Sequence, residues 1–340
     1  MTNRERKEFE GKYELHKFTA DLGQSPLRVD KFLTDRIENI SRTRIQTAAE
    51  QGYLFVNDRI VKSNYKVKPG DTVVLTTYYK PENFELVPEE IPLDIIYEDN
   101  HILIINKPVG LVVHPAYGNE KGTLVNGLLY YLKGLPLFNA ENLRAGLVHR
   151  LDKNTGGVMV IAKTENALSN LSKQFFNRTP KKIYKALVWG VPKEQEGSIS
   201  GNIGRSLQNR KIMRVYPEGD NGKHAVTHYK LNRDLGYVSL LDCELETGRT
   251  HQIRVHLKYI GHPIFGDTEY GGNEILRGTR YTKYKQFIQN CFKLMPAQAL
   301  HAETLEITHP ETGERMKFKA ELPENFKMLL DKWEQYIQNR

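Results

Sequence analysis

The sequence predicts an α+β protein. A small N-terminal module of helices and strands precedes a larger domain built on a mixed, largely antiparallel sheet flanked by helices. Three observations predict this. Helical and strand-like hydrophobic spacings alternate closely over residues 15–80. The Pro- and Glu-rich stretch YYKPENFELVPEEIP then breaks the pattern. Beyond it, short apolar runs at irregular spacing are joined by tight turns, which argues against a doubly wound βαβ array. The predicted organisation is a polar tail over 1–14, a module over 15–80, a linker over 81–92 and a second domain over 93–340.

In the module, Val29, Phe32, Leu33 and Ile37 recur at helical spacing. Ser41 reads as an N-cap, and SRTRIQTAAEQG as a short helix closed by Gly52. YLFVND is a strand ending in a turn, KPGD is a tight turn, and TVVL is a further strand. In the second domain LDIIYED, HILIINKP and GLVVHP read as strands, and LVNGLLYYL and NALSNLSKQFFN as helices. GGVMVIAKT, KIYKALVWG, HAVTHYKLN and YVSLLDCELET read as further strands.

Composition narrows the function classes. The 340 residues are 39% hydrophobic and 26% charged, as in an ordinary globular protein. No apolar run approaches the roughly 18 residues of a spanning helix. The N-terminal stretch MTNRERKEFEGKYELHKF lacks the apolar core of a secretory signal. Cys243 and Cys291 lie far apart without a CxxC partner, so the expectation is a reducing, cytoplasmic protein without disulfides. The formal net charge of +8 leans toward a polyanionic partner. Phosphate-cradling loops of the GxxxxGK or GxGxxG type are missing, and so is HExxH. His224/His228 and His251/His256 lack companion ligands. Neither metal nor cofactor is expected, and the chemistry falls to side chains.

Four stretches carry candidate sites. In AGLVHRLDKNTGGVMVIAKT, Arg150, Asp152 and Lys153 crowd the mouth of a buried strand, where charges are rare unless paired or reactive. In LETGRTHQIRVHLKYIGHPIFGD, Thr250 reads as an N-cap and Gly261 as a C-terminal stop, with Ile253, Leu257 and Ile260 on one face. Arg254 and Lys258 project from another face, and Arg249 precedes the helix. This cluster suits either a protein carboxylate or a phosphate. IGRSLQNRKIMRV gathers Arg205, Arg210, Lys211 and Arg214. It reads either as a loop along a phosphate backbone or as a solvated hairpin. Tyr184 in KKIYKALVWG reads either as core packing or as a ring that stacks on a base. In the module, Arg42 and Arg44 oppose the helix dipole near a helix start, as phosphate ligands or as a solvated face.

Together HRLDKNTGG, KIYKALVWG, ETGRTHQIRVHL and QALHAETLEITHP resemble, in order, the blocks of the RluA-type family of pseudouridine synthases over about residues 90–325. Residues 15–80 resemble the S4-like RNA-binding module that precedes the catalytic domain in family members acting on large-subunit ribosomal RNA. The resemblance implies that Asp152 is the catalytic carboxylate and that Arg150 fills the gap left by an extruded nucleotide. It also implies that Tyr184 stacks on the target base and that Arg249 pairs with the aspartate. Where the family often has Ser or Thr, this chain has Gly156. The implied partner is large-subunit ribosomal RNA or a ribosome precursor, with transfer RNA as an alternative, and the expected state is a monomer. A sugar attack by the carboxylate and a glycal route both remain open. The competing classes are a non-catalytic RNA-binding assembly factor and a glycosidase-type hydrolase. The second would want two carboxylates about 5–9.5 Å apart.

Overall fold

A computed structural model describes the whole chain except residues 1–12, 24, 38, 39, 41, 79–85, 116–118, 120, 140–143, 210, 211 and 340. The chain divides into two compact units, Met1–Glu85 and Leu86–Arg340.

The first unit contains β1 (Tyr13–Thr19), β2 (Leu27–Arg28), α1 (Val29–Thr34), α2 (Arg42–Glu50), β3 (Leu54–Val56), β4 (Arg59–Ile60), β5 (Lys66–Val67) and β6 (Thr72–Tyr78). An antiparallel sheet of order β1-β6-β3-β4 lies beside the short β2-β5 ribbon. The alternation of TVVL buries Val73 and Leu75. They join Val29, Phe32, Leu33 and Ile45 from the helices in one core. The tail expected over 1–14 is shortened by β1, whose Tyr13 pairs with Tyr78. Ser41, the expected N-cap, lies outside the described residues.

The second unit runs β7 (Ile95–Glu98), β8 (Ile102–Lys107), α3 (Leu124–Tyr131), β9 (Gly156–Ala162), α4 (Glu165–Phe176), β10 (Lys181–Trp189), β11 (Glu196–Arg205) and β12 (Met213–Tyr216). It continues with β13 (Lys223–Leu235), β14 (Val238–Leu245), α5 (Gln252–Tyr259), α6 (Thr282–Leu294), β15 (Leu300–Thr308), β16 (Arg315–Lys319) and α7 (Glu324–Gln338). Its sheet has the order β12-β11-β13-β14-β10-β15-β9-β8-β7, with β16 also on β15. Every pairing is antiparallel except β9 with β15, so the sheet is mixed and largely antiparallel. The parallel junction depends on Gly157. Its φ is +121°, and a Cβ there would fall 2.2 Å from the Ala302 carbonyl oxygen. That junction starts β9 just after Asp152.

Two expectations are corrected, and two helices are added. GLVVHP is not a strand: residues 110–115 form turns and bends ahead of α3. Residues 86–92 are not a free linker. Leu86 is buried, the Asn126 Nδ2 donates to the Val87 carbonyl at 2.8 Å, and the Glu89 amide donates to the Asn126 carbonyl at 3.0 Å. Helices α6 and α7, unread in the sequence, pack Phe287 edge-on against Trp333 at 5.0 Å, and Trp333 meets Trp189 of the sheet at 6.4 Å.

Candidate active site

Asp152 occupies a turn closed by the Thr155 amide donating to the Asp152 carbonyl at 3.1 Å. Fully buried Lys107 ties that turn down. Its Nζ donates to the carbonyls of Pro108 at 2.8 Å, Leu111 at 2.9 Å and Lys153 at 3.2 Å. Three acceptors satisfy the three protons of an ammonium. Burial pushes Lys107 down to about 8, against the upward pull of Asp152. On the far side Leu151 and Thr155 are buried, and the Gln298 Nε2 donates to Thr155 Oγ1 at 3.4 Å. The carboxylate between these anchors has restricted freedom and faces a cleft.

The cation beside it is Arg254, whose Nη1 lies 3.5 Å from Asp152 Oδ2. The rest of that guanidinium is committed elsewhere. Nε and Nη2 form a two-pronged pair with Asp267 at 2.7 and 2.8 Å, and Nη2 also reaches Glu269 at 2.5 Å. Burial opposes the charge on Arg254, yet the hydrogen bonds and charge of Asp267 raise its affinity for the proton above the ordinary arginine value. His251 lies on the same side, with Nε2 3.9 Å from Asp152 Oδ2. Its Nδ1 is 2.9 Å from the Tyr270 hydroxyl, whose oxygen accepts the Met213 amide at 3.0 Å. That hydroxyl can give its proton to Nδ1, which leaves the imidazole proton on Nε2, toward Asp152. Both neighbours lie at ion-pair distance from the carboxylate, and among the described residues neither of its oxygens accepts a hydrogen bond.

The loop before α5 is fixed by Gln252. Its Oε1 accepts from Thr247 Oγ1 at 2.7 Å and from the Arg249 amide at 3.0 Å. Its Nε2 donates to the Val226 carbonyl at 2.9 Å. The expected cap at Thr250 gives way to His251, a non-glycine residue with φ +55°, and the helix starts at Gln252. The expected one-sided apolar face also fails. Six consecutive residues, Gln252 to Leu257, are buried because polar Gln252, Arg254 and His256 find partners inside.

The resulting cleft has a volume of about 350 Å³. Asp152, Thr155 and Tyr184 lie along it, with Phe175 and the segment from Leu245 at the end of β14 to Arg254 in α5. Tyr184 on β10 is buried, and burial together with the charge of Asp152 pushes its phenol well above the usual tyrosine value. Arg150, Arg178, Lys182 and Arg249 border the cleft, and none has a carboxylate partner among the described residues. His149 stacks on Phe175 at 4.6 Å, and its Nε2 accepts the Val160 amide at 3.1 Å.

His149 and buried His256 set an acid limit. Burial lowers His149 to about 3, helped by the charge of Lys182, and lowers His256 to about 4. Both folded values lie below the model-peptide value of 6.5, so the unfolded chain binds more protons between these limits. Stability is therefore complete above about pH 6.5 and falls as pH drops toward 4 and then 3. The slope approaches about 1.4 kcal/mol per pH unit for each ring. Thermal unfolding midpoints across pH 4–7 should decline accordingly. A flat midpoint would mean that both rings protonate freely in the fold.

Asp152, Tyr184, Arg249, Arg150 and Arg254 are brought together in this cleft. Two assignments change. The partner of Asp152 is Arg254, not Arg249, whose Nε donates to the His224 carbonyl at 3.1 Å. Arg254, expected among RNA contacts, is 4% exposed with its nitrogens committed to carboxylates, so it is no phosphate ligand. Arg205 ends β11 and is exposed, while Arg210 and Lys211 lie outside the described residues. In the first unit Arg44 is exposed. Arg42 lies 3.8 Å from Asp30, a carboxylate that also holds Arg28 at 2.9 Å. Lys107, His251, Asp267 and Tyr270 escaped the sequence reading. Asp267 and His251 had visible cues, since both lie in the quoted stretch around Arg254, 13 residues beyond it and three before it.

An acid beside a buried arginine, in a cleft bordered by cations, makes a setting that suits a polyanionic ligand. Residues 101–259 match the RNA pseudouridylate synthase family and residues 27–73 match the S4 domain. An RNA pseudouridine synthase of Chlorobaculum parvum is 50% identical over 311 residues, covering 91% of this chain and 94% of that one. Ribosomal large subunit pseudouridine synthase D of Neisseria meningitidis is 43% identical over 314 residues, covering 92% of this chain and 80% of that one. The solved structure of human RNA Pseudouridylate Synthase Domain Containing 1 aligns with a TM-score of 0.52 and 25% identity, covering 76% and 96% of the two chains. The chain belongs to the RNA pseudouridine synthases: it is an isomerase that converts uridine to pseudouridine in RNA, with an S4 RNA-binding domain before the catalytic domain.

Proposed function

We propose that this isomerase acts on uridine in large-subunit ribosomal RNA, with Asp152 as the catalytic carboxylate and the target nucleotide flipped into the cleft. The observation that carries the reading is the place of Asp152 in a cation-bordered cleft, with Arg254 and His251 as its ion-pair neighbours. No hydrogen bond among the described residues occupies either oxygen, so the carboxylate is open to the substrate. The reaction breaks the bond from ribose C1′ to uracil N1 and forms one from C1′ to C5. The C5 proton departs, N1 gains a proton, and no other atom enters or leaves. The carboxylate attacks the sugar or removes a sugar proton. The counter-charge of Arg254 spares the enzyme an uncompensated carboxylate in a sheltered site.

A base in a helix cannot reach this depth, so the nucleotide must leave its stack. The Tyr184 ring offers the flipped base a face to stack on. Burial and the charge of Asp152 both favour its protonated phenol. Arg150 at the cleft edge suits the gap left behind. Arg205, Arg42 and Arg44 are exposed cations suited to phosphate. Support for the large subunit comes from relatives named ribosomal large subunit pseudouridine synthase D, 41–43% identical to this chain.

Pseudouridine maps of total RNA from cells with and without this protein test the assignment. The expected result is the loss of one or a few sites confined to large-subunit RNA. Losses confined to transfer RNA would overturn it.

A further inference from the structure

Three described helices end in the same hydrogen-bonded turn, with a residue of positive φ just past the cap. After α2 that residue is Gly52, φ +80°, with the Tyr53 amide on the Ala48 carbonyl at 2.8 Å. After α5 it is Gly261, φ +84°, with the His262 amide on the Leu257 carbonyl at 2.9 Å. After α4 it is Arg178, φ +60°, with its amide on the Phe175 carbonyl at 3.3 Å and the Thr179 amide on the Gln174 carbonyl at 3.1 Å. Glycine takes this conformation freely, whereas arginine is strained in it. Strain kept where glycine would relieve it points to a use for the side chain.

The surroundings show what use. Arg178 is exposed at the border of the cleft that holds Asp152, and Lys182 on β10 borders the same cleft. Neither has a carboxylate partner among the described residues. The Lys182 ammonium is lowered first by burial and then by the charge of Arg178, as two cations without an anion between them would be. Beside them the helix shows two phenylalanines in succession. Phe175 turns inward onto His149, and Phe176 turns outward, 85% exposed. An exposed aromatic ring two residues along the chain from one of two cations without a carboxylate partner is the composition of a single-strand nucleic-acid contact.

We propose that Phe176, Arg178 and Lys182 seat the RNA nucleotide flanking the extruded uridine. Phe176 stacks on its base, and the two cations share its phosphate. The proposal rests on the RNA cleft described above but not on which RNA is modified. It assigns the turn after α4 to substrate grip, outside the group of residues that reacts.

The test pairs Arg178→Gly and Phe176→Ser with Tyr281→Ser, an exposed aromatic at the start of α6, distant in sequence from the turn after α4. Binding to a single-stranded oligouridylate is measured across salt, and turnover on protein-free large-subunit ribosomal RNA. Arg178→Gly should keep or raise the unfolding midpoint. It should also reduce the slope of log affinity against log salt by about one unit and raise KM severalfold with kcat nearly unchanged. Phe176→Ser should weaken oligouridylate binding by about tenfold with the salt slope retained. Tyr281→Ser should change none of these. An unchanged salt slope in Arg178→Gly would overturn the seat, and so would an equal loss of affinity in Tyr281→Ser. If the unsubstituted enzyme binds oligouridylate but turns over no large-subunit RNA, the substrate assignment fails, and the oligouridylate measurements still judge the seat.

Discussion

Asp152→Asn is expected to cut uridine isomerisation by about 10⁴-fold and to leave the fold and RNA binding in place. Asparagine has nearly the same shape, and its amide oxygen can keep the Oδ2 position opposite Arg254 and His251. What it lacks is a charged oxygen able to attack the sugar or take its proton. The structural loss is small, because Arg254 retains Asp267 and Glu269 after the change. RNA affinity should hold or rise slightly, since a negative charge disappears from among Arg150, Arg178, Lys182 and Arg249. Because the reaction expels the hydrogen on C5, release of tritium from 5-tritiated uridine in RNA reports turnover directly. Residual turnover above one hundredth of the unsubstituted rate would remove Asp152 from the chemistry. Lost RNA binding would instead place the residue in the grip on substrate.

The same site shows why the sequence was readable in part. Strands such as KIYKALVWG and YVSLLDCELET announce themselves by short apolar runs, because a sheet needs only local alternation and bounding turns. Asp152 stood out because a charge before a run of seven buried residues demands a reason. The choice between Arg249 and Arg254 was different in kind. Both follow the same strand, and linear spacing favours neither. The decision lies in Gln252, which pins the Arg249 amide, and in Asp267, which draws Arg254 inward from another segment. A buried cation on a helix reads as an exposed one until its carboxylate is located. Lys107 is hidden for a related reason, being a buried cation on a strand whose partners are backbone carbonyls. INKP looks like a strand meeting a turn, and only the three-dimensional arrangement brings the Lys153 carbonyl, 46 positions away, to its ammonium.

Arg254 should therefore be the substitution that costs both fold and activity. Asp267 is fully buried, and its Oδ1 also accepts the amides of Glu269 and Tyr270 at 3.1 Å. Arg254→Ala strands that carboxylate without a cation, an expected loss of about 3–5 kcal/mol and a fall of roughly 10 °C in the unfolding midpoint. Adding Asp267→Ala should recover part of the loss, because the stranded charge goes too. Arg254→Lys separates charge from shape. An ammonium is a single point, whereas the guanidinium holds Asp267 with one edge while Nη1 faces Asp152. The lysine variant should be folded but slow, with kcat down by about 10²-fold and KM little changed. That split marks Arg254 as holding the reacting carboxylate in place. A lysine variant with full kcat would show that any nearby cation serves, and a variant with raised KM alone would return Arg254 to the RNA contacts from which its burial has removed it.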